Sequence, residues 1–319
     1  FEEKQEKEKE SKRIKEERDK SFEARHKEFE IMMRNRDSDG FKKLTLEMAF
    51  VRLIAEVEKF FSEIIHAHFA ENPQELTSKG EWSEIKKFSI QDIQNFDNKK
   101  AALRHLVDDI LKNLPFEQWF DLLRKGSFKK INLASIEKYK PELLESYQRR
   151  NILTHDDGTV NKIYLDKYPK DHPDQKTPKL NSKIKLTPEY LQKAILNFEV
   201  CFLIIAAEIW KLAPNEKKKQ RASTLWERGY DHLEKENYEN TILIGEYIEQ
   251  DNEVAEIDKL YAKMNRYTAK KYLLGLESIK DELEKENINT LNGLFRMAIL
   301  VIGDQFNEAI PEIKDLLDN

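Results

Sequence analysis

Glycine and proline are scarce in this chain, nine of each in 319 residues. A fold of many short strands needs turn residues roughly every 8–12 positions, so that class is disfavoured from the start. Rossmann and P-loop sites need clustered glycines to admit a phosphate, and no such cluster occurs. Cysteine appears once, as Cys201, which excludes an internal disulfide framework and a thiolate zinc site and points to a reducing, cytoplasmic setting. Cys201 lies in the apolar run 200–207 between Glu199 and Glu208. With no basic neighbour to lower its pKa, it reads as a buried structural thiol. That run is far short of the ~20 residues a membrane span requires. Neither sign of charge dominates, with 55 basic against 60 acidic residues and a net charge of −5. No global field therefore recommends DNA or a membrane surface as partner. No signal-peptide pattern is read either; the chain begins at Phe1 rather than Met, so this covers these 319 residues alone.

What is present is charge and helix-forming residues. Charged residues reach 36 % and hydrophobic ones 39 %, against globular means of about 25 % and 45–50 %. A composition so rich in Leu, Ile, Glu and Lys predicts an all-α fold. Residues 1–36 interleave acids and bases, with i,i+4 pairs such as Glu3–Lys7, Glu8–Lys12 and Glu16–Lys20. These support a solvated helix, while Ile14, Phe22 and Phe29 are too few for a coiled coil. Arg36-Asp37-Ser38-Asp39-Gly40 is expected to stop this charged N-terminal helix (1–38). Residues 41–72 then read as a long amphipathic helix, with Leu44, Val51, Ile54, Val57, Phe61, Ile64 and Ile65 at three-to-four-residue spacing. Further helices are expected over 101–114, over 116–123, and from Pro141 towards His155, where Asp156-Asp157-Gly158 forms a stop. Four prolines mark 168–188 as a loop, and another helix is expected from Thr187 to about Leu212. Pro214 and the basic run 217–219 mark a boundary, dividing a helical domain at 41–213 from a second at 221–319.

The second domain contains a repeat. Tyr238, Tyr272 and Phe306 stand 34 residues apart, and three residues after each comes a small residue: Thr241, Gly275 or Ala309. The following position is apolar every time (Ile242, Leu276, Ile310), and twelve residues before each aromatic stands Trp226, Leu260 or Leu294. A 34-residue period of paired helices with a small residue at their crossing resembles the tetratricopeptide (TPR) repeat. The nearest match is Asp304-Gln305-Phe306-Asn307-Glu308-Ala309-Ile310, and Gly229 fits the first unit. The middle unit departs, with Lys263 where the first has Gly229, and no proline separates the units. The alternative is an irregular helical bundle. Repeats of this type offer grooves to peptides or proteins and carry no chemistry themselves.

Chemistry is most credible in Arg149-Arg150-Asn151-Ile152-Leu153-Thr154-His155-Asp156-Asp157-Gly158, followed by Val160-Asn161-Lys162-Ile163-Tyr164-Leu165. Asn151 and His155 are i,i+4 on a helix, so their side chains share a face, and the long stem of Arg150 reaches the same region. His155 falls in the last turn, where the helix dipole and Asp156 and Asp157 favour a cation. A histidine works as general acid or base near neutral pH, and a guanidinium clamps phosphate. An Arg, an adjacent polar residue and a His five after the Arg form the signature of the HEPN superfamily (higher eukaryotes and prokaryotes nucleotide-binding), and residues 41–213 resemble that family. The resemblance implies a HEPN-like helical bundle that forms a homodimer. It also implies a metal-independent endoribonuclease, of the kind found in toxin and anti-phage defence systems, needing no cofactor. RNA would be the substrate: its 2′-OH attacks the adjacent phosphate while His155 moves protons, Arg150 stabilises the phosphorane and Asn151 orients His155 or the phosphate. The TPR-like repeats would hold a protein partner or inhibitor.

Plainer explanations stand beside this one. Arg150 pairing with Asp156 and His155 capping the last carbonyls would be structural, and some HEPN domains only dimerise or bind nucleotides. The rival function is a catalytically silent scaffold in which HEPN dimerises and TPR recruits. His66-Ala67-His68 looks like a metal pair, but i,i+2 side chains diverge on a helix. Trp119 and Trp210 sit among Phe and Leu and read as core. Lys162 and the lysines at 217–219 read as solvated.

Overall fold

A computed structural model describes residues 27, 38–76, 99–112, 114–173, 177–214 and 220–318. The charged helix expected over 1–36 and the lysines at 217–219 lie outside the described residues, save Lys27. The described chain is all-α: Thr159 and Lys183 form an isolated bridge, and no strand occurs among the described residues. None of the described helices is long and apolar enough to cross a membrane. Helix α1 covers Ser38–Glu71, α2 Lys99–Lys112 and α3 Trp119–Leu122. Helix α4 covers Lys140–His155, α5 Lys162–Lys167 and α6 Pro188–Trp210. One correction concerns the start of α1. It begins at Ser38 rather than at the expected 41, so Ser38-Asp39-Gly40 belong to its first turn. Asp39 there places its carboxylate at the favourable end of the helix dipole.

The chain divides into two compact units. One consists of Phe1–Glu63, Leu114–Gln118 and Lys138–Phe198, and the other of Ile64–Asn113, Trp119–Glu137 and Glu199–Asn319. In the first unit, α1 buries Leu44, Phe50, Ile54, Val57 and Phe61, and α4 buries Leu143, Ile152 and Leu153. Phe116 stacks on Tyr147 with centroids 4.6 Å apart and meets Phe198 edge-on at 6.3 Å. Behind the end of α4, Ile152, Val160 and Tyr164 form a small cluster. In the second unit Cys201 is buried, and Trp119 is likewise in the core.

Within the second unit, residues 221–318 contain two helical hairpins. Helices α7 (Arg221–Glu234) and α8 (Tyr238–Glu249) form one, and α11 (Gly293–Ile302) and α12 (Phe306–Asp318) another. The two turns share a backbone pattern at an offset of 68 residues, twice 34. Glu236 and Asp304 have φ of +60° and +58°. Asn237 N donates to His232 O at 2.9 Å, and Gln305 N to Leu300 O at 2.8 Å. At the two crossings, Thr241 and Ala309 are buried, and Thr241 Oγ1 donates to Gly229 O at 3.1 Å.

The middle unit does not form such a hairpin. Helix α9 runs unbroken over Glu256–Leu274, through Lys270, the position equivalent to Glu236 and Asp304. The first and third turns have Asn237 and Gly303 beside their left-handed residue, whereas no Gly or Asn stands between Asn265 and Gly275. Gly275, expected at a helix crossing, therefore ends α9 with φ +87° and open space around it. Only the short α10 (Lys280–Glu284) follows. Trp226 stacks on Tyr261 at 4.6 Å, and Tyr261 meets Phe295 edge-on at 5.0 Å, so the three rings form a row.

Two glycines of this array should respond oppositely to alanine. A Cβ on Gly245 would lie 2.8 Å from Arg266 Cβ and 3.1 Å from Ala262 O, whereas one on Gly229 would meet Ile244 Cγ2 at 3.4 Å. Overpacking costs about 1–3 kcal/mol, and replacing a helical glycine by alanine returns about 1 kcal/mol. Gly245→Ala is expected to lower the melting temperature and Gly229→Ala to hold or raise it. Equal losses in thermal denaturation would contradict this close approach of α8 and α9.

Candidate functional site

The site is carried by α4, whose rotation about its own axis is set by buried polar groups. Glu145 is 1 % exposed. Its Oε1 accepts from Arg149 Nε at 2.8 Å and from Tyr164 OH at 2.5 Å, and its Oε2 accepts from Tyr190 OH at 2.5 Å. Tyr190 OH also lies 2.9 Å from Ser146 Oγ, and its ring is capped by the Arg149 guanidinium at 3.8 Å. Burial pushes the Tyr164 and Tyr190 phenols well above their ordinary range, and the Glu145 charge adds to it, so both remain donors. Burial opposes the Arg149 charge, but Tyr190, Glu145 and Tyr164 outweigh it and hold its pKa above the ordinary value. A step further, Gln148 Nε2 donates to Glu117 Oε1 at 2.7 Å, and Lys167 Nζ reaches the same oxygen at 2.7 Å.

With that side turned inward, Arg150, Asn151, Thr154 and His155 occupy the remaining arc of the helix. His155 is exposed, and Asn151 and Arg150 are half-buried. The Arg150 side chain lies over the Tyr147 ring at 4.5 Å and donates from Nη2 to Glu58 Oε1 at 2.5 Å. Tyr147 OH donates to the same Glu58 oxygen at 3.1 Å. Burial raises the Tyr147 pKa, with Arg150 opposing and Glu58 adding. Among the described residues no hydrogen bond joins the side chains of Arg150, Asn151 and His155. The helix places them on one arc and leaves them separate.

The end of α4 is closed as its Asp-Asp-Gly sequence predicts. Asp156 N and Gly158 N both donate to Ile152 O at 2.9 Å, with Asp157 and Gly158 at φ +49° and +67°. A Cβ on Gly158 would press on Leu153 Cδ2 at 3.3 Å, so glycine is needed there for shape as well as for φ. The chain beyond is clasped by Val160 N to Ser182 O and Ile184 N to Gly158 O, each 2.9 Å. The two aspartates are engaged locally. Asn161 Nδ2 donates to Asp156 Oδ2 at 2.8 Å, and Lys183 Nζ to Asp157 Oδ2 at 2.5 Å. Arg150 thus pairs with Glu58 and not with Asp156. Glu58 went unnoticed in the sequence because it lies 92 residues away among the many charges of α1.

His66 Nε2 bonds Asp108 Oδ1 at 2.8 Å, while His68 Nε2 lies 2.9 Å from Ser127 Oγ. The two histidines take different partners, and burial lowers the His68 pKa. No group of three or more His, Cys, Asp or Glu among the described residues is arranged to hold a metal. Lys162 is exposed at the start of α5. A cavity of about 190 Å³ is lined by Leu165, Asp166, Tyr168, Pro169, Lys170, His172 and Thr177, and includes none of the motif residues. No family model matches the chain, and neither a curated protein nor a solved structure matches it.

Adjacent arginines with different partners should differ in stability cost. Arg149→Ala strands the buried Glu145 carboxylate without its cation, a loss of about 3–5 kcal/mol. Arg150 pairs with a carboxylate that is 36 % exposed, and such pairs contribute at most about 1 kcal/mol. Urea denaturation should therefore rank Arg149→Ala far below Arg150→Ala. The reverse order would mean that Arg150 is the structural residue.

Proposed function

We propose that this chain is a metal-independent endoribonuclease of the HEPN type, acting in a toxin or anti-phage defence setting, with TPR-like hairpins that bind a protein partner or inhibitor. The observation that carries the reading is the division of labour on α4. Arg149 is committed to the buried Glu145, while Arg150 and His155 share the outer arc with His155 exposed. In the reaction, the ribose 2′-OH gives its proton to a base and attacks the neighbouring phosphorus. The P–O5′ bond then breaks as the leaving oxygen is protonated. The products are a 2′,3′-cyclic phosphate and a 5′-hydroxyl. His155 transfers protons, Arg150 neutralises the charge that gathers on the phosphorane, and Asn151 orients His155 or the phosphate.

Each chain supplies one such arginine–histidine set, so the proposed enzyme is a homodimer with two Arg150–His155 arcs facing across a two-fold axis. Phosphate binding then competes with Glu58 for the Arg150 guanidinium. That competition also supports a second reading, a silent HEPN/TPR scaffold or nucleotide-binding module, in which the Glu58–Arg150 pair is permanent.

A substitution series separates the two. His155→Ala and Arg150→Ala are each expected to lower RNA cleavage by orders of magnitude, since general acid–base assistance alone is worth ~10²–10⁴-fold. Both variants should keep their circular dichroism spectrum, and cleavage should persist in EDTA. His66→Ala, bound elsewhere to Asp108, should cut as wild type does. RNA left intact by wild type, even with its partner protein present, would favour the scaffold. A His155→Ala variant with undiminished activity would remove His155 from catalysis.

A further inference from the structure

Among the described residues, no helix fills on the third hairpin the seat that another helix fills on the first. On α8 that seat is occupied by α9. Tyr238 stacks on Tyr272 at 5.8 Å, and Gly245 lies against Arg266 and Ala262. Glu246 pairs with Lys270 at 3.7 Å, and Glu249 with Arg266 at 2.5 Å. The neighbouring α7 contributes Trp226, whose Nε1 donates to Asp258 at 3.0 Å. Shifted by 68 residues, the positions 226, 238, 242, 245 and 249 become Leu294, Phe306, Ile310, Ile313 and Leu317. All five are exposed, from 37 % at Ile313 to 80 % at Leu317. A contiguous apolar patch of this kind marks an interaction surface.

Two differences between the seats identify the occupant. On the first hairpin the acids Glu246 and Glu249 select a basic helix. The equivalent residues of the third are Lys314 and Leu317, so that selection is lost. In its place α12 carries Phe306, Ile310, Ile313 and Leu317 at spacings of four, three and four, a seam of coiled-coil type. This spacing reads the same from either end. Two antiparallel copies set Phe306 against Leu317 and Ile310 against Ile313, as a two-fold contact requires. Glu308 and Asp315 fall about half a turn away from the seam at 3.6 residues per turn, so no like charges meet in it.

We infer that α12 is a self-association surface, pairing antiparallel with α12 of a second copy of this chain. This contact is separate from the two-fold pairing proposed for the Arg150–His155 arc and stands whether or not the chain cleaves RNA.

The full chain tests it by disulfide cross-linking. Ile310→Cys mixed with Ile313→Cys should form a linked dimer under mild oxidation about tenfold faster or more than Glu308→Cys mixed with Asp315→Cys, because only facing Cβ atoms come within bonding reach. Wild type, whose Cys201 is buried, should give no linked species. In sedimentation velocity, the Ile310→Glu, Leu317→Glu double variant should weaken self-association by about 100-fold, since pairing would bury its charges. Any association through α4 should remain. Equal cross-linking in the two mixtures would overturn the inference. So would unchanged association of the double variant with its helical content intact.

Discussion

The interaction on which the first unit depends is a carboxylate out of water. The Glu145 side chain, 1 % exposed, is held by Arg149, Tyr164 and Tyr190, all of which bond to it. Removing a charge from water costs several kcal/mol unless such partners are present. The cluster is therefore intolerant of rotation: turning α4 about its axis by one residue would break all three bonds. Apolar side chains can slide past one another at small cost, whereas directed bonds to a buried charge cannot. This is the physical reason the Arg150–His155 arc faces outward and stays there. The stop at Asp156–Gly158 then fixes where the arc ends, and the clasp to residues 181–184 holds the following chain.

The second unit uses a different constraint. Its hairpins depend on single residues in the left-handed region, Glu236 and Asp304, each costing conformational energy that a neighbouring Asn or Gly eases. Where that help is absent, at Lys270, helix formation continues for another turn until Gly275. The result is two regular hairpins separated by one long helix and short turns. Arrays of this kind are stabilised by nearest-neighbour contacts. Here those contacts include the Trp226–Tyr261–Phe295 row and the pairing of Arg266 with Glu249 and Glu282.

Much of this was legible in the amino-acid order, for reasons that can be named. The all-α class followed from few glycines and from three-to-four-residue apolar spacing, and α1 and α4 lie within a few residues of their expected bounds. The Asp-Asp-Gly stop was legible because αL residues have a local chemical signature. The carboxylates that meet the two arginines of α4 were not, since Glu145 and Glu58 differ from dozens of other glutamates only in what folds against them. Gly275 looked like a crossing residue because a small side chain suits a close helix contact and a helix stop equally well.

The central claim is that the outer arc of α4 acts on a phosphodiester through its histidine and arginine, without a metal. The chemistry of the cut ends tests it most directly. Purified chain incubated with RNA in EDTA should yield fragments ending in 2′,3′-cyclic phosphate and beginning with a 5′-hydroxyl, resolved by mass spectrometry and by labelling with polynucleotide kinase. Fragments carrying 5′-phosphate and 3′-hydroxyl ends, formed only when a divalent metal is supplied, would contradict it.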